Sequence, residues 1–179
     1  MRLPSVVVPA RREQNVPMQP LTIETARSAL TERAWPEAFE AFTAADAEQP
    51  LGPEDLEGMA KAAWWTGQQN VSIEARERAY AAYVERGDKA RAAFAALTLR
   101  REYHAKLQGS VAQGWLSRSV ALLEGEPESP AHGYLAIAHG QLAWARGELD
   151  HALSHIDRAI GIAASTTGTC PRGRRCTRG

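Results

Sequence analysis

Two columns of small residues, seven positions apart, recur along the chain and constrain its fold more than any other feature. Ala38, Ser72, Gly114 and Ala152 form the first column, and Ala45, Ala79, Ala121 and Ala159 form the second. Both advance by 34, 42 and 38 residues (38 to 72, 72 to 114, 114 to 152). A bulky residue follows the first column each time: Phe39, Ile73, Trp115 and Leu153. Residues seven apart share one face of an α-helix, and a face lacking side-chain bulk lets a second backbone approach. A single helical hairpin cannot bury its apolar face alone, so such repeats are expected to stack.

The punctuation between these segments is helical. Pro36, Pro53 and Pro130 stand where a first turn begins, where a missing N–H costs nothing. Asp88, Ser110 and Ser129 are expected N-caps. Gly67, Gly87, Gly109, Gly125 and Gly147 are expected in the left-handed conformation that closes helices. Together they predict eight helices, over 22–33, 36–47, 53–66, 70–86, 88–107, 110–124, 130–146 and 149–164, joined by short turns into antiparallel hairpins. In the fifth, Ala92, Ala96, Leu99, Tyr103 and Leu107 read as one apolar stripe, with about two extra residues before Gly109. No period-two alternation or Asn-Gly turn argues for strands. The predicted fold is all-α, a right-handed superhelix of about four antiparallel hairpins.

The pattern resembles the tetratricopeptide repeat (TPR), which it covers over about four-fifths of the chain. The small eighth-place residue of that family corresponds to Ala26, Ala60 and Gly140, and its turn glycine to Gly67, Gly109 and Gly147. The run Gly140–Leu153 matches best, whereas the first repeat has Arg33-Ala34-Trp35-Pro36 in place of a turn glycine. The steps of 42 and 38 exceed the usual spacing of about 34, so the repeats are TPR-like. The runs Ala62–Gly67, Ala75–Tyr80 and Glu85–Asp88, with Gly114-Trp115-Leu116 and Leu122–Gly125, are also similar to the repeat region of bacterial LuxR-type transcriptional regulators. The helix-turn-helix domain of those regulators has no place in this chain, so direct DNA binding is not carried over.

These resemblances imply a non-catalytic scaffold for a protein or peptide partner, as a fragment of a regulator. In the TPR family the first helices line a concave groove, which here selects Arg27, Leu30, Lys61, Trp64, Trp65, Arg101, His104, Gln141 and Trp144. Basic groups beside aromatic rings suit an acidic or aromatic peptide. Trp64, Trp65 and Trp144 equally suit a role as filling between repeats, and Trp35 and Trp115 are expected in the core. Two alternatives are an oligomerisation or spacer module, self-associating through an uncapped C-terminal repeat, and an enzyme using a helical cavity.

Little else in the chain carries chemistry. His151 and His155 have a two-ligand spacing on one helix but no evident third ligand, and no cofactor or metal is expected. No phosphate-binding glycine loop, dinucleotide fingerprint or nucleophile elbow occurs. Lys+Arg and Asp+Glu both number 21, so no net field favours nucleic acid or an anionic membrane. No apolar run is long enough to span a bilayer. The two cysteines, Cys170 and Cys176, fall in the last ten positions, which fits a cytoplasmic location and a core without disulfides. Residues 1–20, with four prolines, read as a flexible leader. Residues 165–179 break the preceding pattern and read as a disordered basic tail, expected of a truncated or frame-shifted remnant.

Overall fold

The computed structural model describes residues 22–167, and the leader and most of the basic tail lie outside them. Eight helices follow in order: α1 (Ile23–Glu32), α2 (Trp35–Glu48), α3 (Pro53–Trp65), α4 (Gln69–Glu85), α5 (Lys89–Ala105), α6 (Gly109–Leu123), α7 (Pro130–Ala145) and α8 (Leu149–Thr167). No strand occurs among the described residues. The helices pack in sequence pairs, α1 on α2, α3 on α4, α5 on α6 and α7 on α8, and the pairs stack into a solenoid. None of these helices is long and apolar enough to cross a membrane.

The helix starts are built largely as the residue types dictate. Asp88 accepts the amide of Arg91 at 3.1 Å, and Ser129 forms a capping box with His132 ahead of Pro130. Between the two helices of every hairpin the same turn recurs. Arg33, Gly67, Leu107 and Gly147 each take a positive φ, between 59° and 79°. The next residue then donates its amide back across the turn: Ala34 to Ala29, Gln68 to Ala63, Gln108 to Tyr103 and Glu148 to Ala143, at 2.8–3.0 Å.

These turns fix the repeat register at steps of 34, 40 and 40 (34 to 68, 68 to 108, 108 to 148), and they correct the third repeat. The turn glycine expected at Gly109 is in fact Leu107, which is 94% exposed rather than part of an apolar stripe. Gly109 begins α6, and Ser110 lies inside the helix instead of capping it. The small column accordingly passes through Ala112 and Ser119, both buried, whereas Gly114 and Ala121 face solvent. At the far end α8 continues through Ser165 to Thr167, three residues beyond the expected boundary.

With this register the close-packing argument holds. Ala38, Ser72, Ala112 and Ala152 are all buried, as are Ala26, Ala60 and Gly140 on the facing helices. A Cβ placed on Gly140 would sit 3.4 Å from the carbonyl oxygen of Ala152, so α7 and α8 touch at backbone level there. Arg100 occupies the matching place in α5 and is half-buried.

The outer faces of α2, α4 and α6 are covered by the first helix of the next hairpin. Phe42 of α2 packs over Gly58 of α3. Ile73 of α4 joins Ala96 and Leu99 of α5, with Trp115 alongside. Leu116 of α6 joins Leu97 and Ala138, and Leu123 joins Ala93 and Ala131. Polar contacts fix the junction of α4 and α5: Tyr103 donates to Glu77 at 2.7 Å, and Lys106 donates to Asn70 at 2.6 Å.

Candidate protein-binding groove

Inside the solenoid α1 lies against α3, and α5 against α7, with little direct packing between α3 and α5. The space between them is an open groove of about 850 Å³, lined by α3, α5 and α7 with Leu30 at one end and Arg76 of α4 below. Six of the nine residues expected to line a groove do so: Leu30, Lys61, Trp64, Trp65, Arg101 and Gln141. Arg27 does not, because its guanidinium is clamped in a two-pronged bond to Asp55 at 2.7 and 2.8 Å. His104 and Trp144 also lie outside the lining, with Trp144 69% exposed. Sequence reasoning did not select Phe94, Arg100 or Tyr134, which line the opposite wall.

The tryptophans along the groove line it and also make contacts between repeats. Trp65 is 61% exposed and stacks at 5.8 Å on Trp35, which is half-buried rather than core. Lys61 lies 5.5 Å from the centre of the Trp35 ring, and Arg101 lies 5.9 Å from that of Trp64. Across the groove Phe94 and Tyr134 meet edge to face at 4.8 Å. Trp115 is buried as expected, in an edge-to-face contact with Tyr80 at 5.0 Å.

The charges divide into paired and unpaired sets. Glu54 is held by Arg86 and Arg91, Asp46 by Arg78, and Glu126 by Lys89. Beneath the groove Arg76 is shared between Glu57 and Glu102, and Ser72 Oγ lies 2.9 Å from Glu102 Oε1 and 2.8 Å from the Ala60 carbonyl oxygen. A hydroxyl carries one proton, so it cannot donate to both oxygens at once. Burial pushes both carboxyls above their ordinary range, and Glu57 Oε1 and Glu102 Oε2 have no hydrogen-bond partner. By contrast Lys61, Arg100 and Arg101 line the groove with no carboxylate within ion-pair distance among the described residues. Arg100 donates only to the side-chain oxygen of Gln141, at 3.1 Å, and burial lowers its affinity for its proton.

The histidine pair seen in the sequence stays on one side of α8, where His151 and His155 line a single cavity with His139. His155 meets His139 edge to face at 5.4 Å, and His151 sits 3.5 Å from Glu148. Among the described residues no group of three His, Cys, Asp or Glu side chains is placed to hold a metal ion.

The backbone is similar to several solved structures. The crystal structure of MamA matches with a TM-score of 0.57 and 14% identity, over 81% of this chain and 78% of that one. BtubC (BKLC) from P. vanneervenii matches with a TM-score of 0.61 and 20% identity, over 86% and 66%. The nearly identical TPR-like repeats of a Podosopora anserina kinesin light chain match with a TM-score of 0.56 and 22% identity, over 80% and 74%. These likenesses establish the fold as a TPR-like α-solenoid. No likeness among them supports a relationship with LuxR-type regulators. No protein-family model and no curated protein sequence matches the chain.

Proposed function

We propose that this protein is a non-catalytic scaffold whose groove between α3 and α5 holds an extended acidic segment of a partner protein, with an aromatic or apolar side chain against its rings. The observation that supports this most is the convergence of Lys61, Arg100 and Arg101 on one groove, with no carboxylate within ion-pair distance of them among the described residues. A half-buried guanidinium with only an amide oxygen as partner is poorly compensated for the water it has lost. A carboxylate supplied from outside restores that compensation and adds bidentate geometry. Half-buried Trp64, exposed Trp65 and the Phe94–Tyr134 pair line the same groove and offer apolar contact beside these cations.

The resemblance to LuxR-type regulators rests on the runs quoted from the sequence and adds the finer reading of a regulator fragment. The groove reading does not depend on it.

The test uses two fluorescein-labelled peptides of equal length, one alternating glutamate with tyrosine and the other alternating lysine with tyrosine. The acidic peptide is expected to bind the full chain, with affinity that falls as salt is raised. Replacing Arg100→Gln together with Arg101→Gln is expected to weaken it by about tenfold, equivalent to about 1.4 kcal/mol. Equal binding of both peptides, or an unchanged affinity in a variant with intact helical content, rules the reading out.

A further inference from the structure

In the last described helix, the outer face of α8 carries Leu149, Leu153, Ile156 and Ile160, between 40% and 63% exposed. Their spacing of four, three and four residues makes one continuous apolar stripe. The repeat register shows what such a face meets elsewhere in this chain. Residue 148 matches residue 68, so α8 superposes in sequence on α4 with a constant offset. Leu153 then stands where Ile73 stands, and Ile73 is buried against Ala96 and Leu99 of α5. Asp150 stands where Asn70 receives Lys106, and Asp157 where Glu77 receives Tyr103.

We propose that the α8 face is a docking site for a partner's amphipathic helix, laid antiparallel on it as α5 is laid on α4. The helix presents alanine and leucine to the stripe, and near its C-terminal end a tyrosine and a lysine, three residues apart, that bond Asp157 and Asp150. Where Glu102 of α5 meets Ser72 and Arg76, the corresponding places on α8 are Ala152 and Ile156, so this helix carries an apolar residue at that point.

A second copy of this chain fits the face less well. The solvent side of α1 offers Glu24, Arg27, Ser28 and Glu32, so head-to-tail addition leaves the stripe unmatched. Antiparallel pairing of two α8 helices about the centre of the stripe sets Asp150 against Ala159 and Asp157 against Ala152 of the other copy, so neither aspartate gains the amine or phenol that its counterpart in α4 receives.

The probe is a fluorescein-labelled peptide of residues 88–107 carrying Glu102→Leu, titrated with the full chain. It is expected to bind saturably, and about tenfold more tightly than the unsubstituted peptide. Leu153→Asp in the protein, a change at a side chain already in water, is expected to abolish binding while helical content is kept. Asp150→Lys with Asp157→Lys is expected to weaken it, which separates the two flanking bonds from apolar contact alone. Absence of binding, equal binding of both peptides, or binding indifferent to Leu153→Asp overturns the proposal. A dimer in sedimentation that Leu153→Asp dissolves assigns the face to a second copy and overturns it as well. Acidic-peptide binding in the groove is measured independently, so either reading can fail alone.

Discussion

Phe42 of α2 lies so close over Gly58 of α3 that a Cβ on the glycine would come within 2.7 Å of the ring's Cζ and 3.0 Å of Leu30 Cδ2. Phe42 is fully buried, so it has no free volume into which to swing. Gly58→Ala gains about 1 kcal/mol of helix propensity and loses about 1–3 kcal/mol to overpacking. The expected result is a net loss of up to about 2 kcal/mol in chemical denaturation. Adding Phe42→Leu, which shortens the intruding side chain, is expected to recover part of it. Strict additivity in that double-mutant cycle contradicts the contact.

The buried carboxyls predict a pH dependence of definite sign. Burial raises Glu57 and Glu102 above the ordinary value of 4.5 in the folded chain. The native state therefore binds protons that the unfolded chain has released, and stability falls as pH rises from 4.5 through the raised folded values. Asp46 and Glu54, whose values are lowered by arginine and backbone bonds respectively, act below that window and in the opposite sense. Glu102→Gln removes one of the two titrating groups, so its stability is expected to fall less over the same range. Parallel pH profiles for the wild type and the variant in urea unfolding contradict this assignment.

Leu107 stands in the left-handed region at φ 59° with its side chain almost wholly in water. That conformation costs an L-residue about 1–2 kcal/mol, against which glycine adds unfolded-state entropy. Leu107→Gly is expected to stabilise the chain by about 0.5–1 kcal/mol, read as a higher Tm. Gly147→Ala, at φ 77°, is expected to lower it by about 1 kcal/mol, whereas Gly109→Ala meets nothing within 4 Å and is expected to be close to neutral. The reverse order among these three variants contradicts the repeat register.

Leu107 also explains how far the fold was legible. Glycine and proline mark most helix boundaries because they answer to local backbone rules, and all eight helices follow from them to within a few residues. The third turn broke the rule by placing leucine in the left-handed region, while Gly109 two residues later imitated the missing signal. In the other three repeats the small columns keep the register, with Ala45 half-buried and the rest buried, and only the third slipped, by two residues, to Gly114 and Ala121.

The groove was legible in part for a related reason. Matching positions just past the small eighth residue assumes that the lining runs the same way along every first helix. The lining also reaches six residues before that place, at Glu54, Phe94 and Tyr134. Only α3 extends it four and five residues past that place, at Trp64 and Trp65, which leaves His104 and Trp144 beyond it. The unpaired state of Arg100 depends on what α7 brings to it, and no local pattern encodes that.

Hydrogen exchange of the full chain, with and without the glutamate–tyrosine peptide, tests the groove most directly. Added protection is expected in α3 around Lys61 and Trp64 and in α5 around Arg100 and Arg101, with α8 unchanged. Protection confined to α8, or bound peptide that protects neither α3 nor α5, contradicts the account.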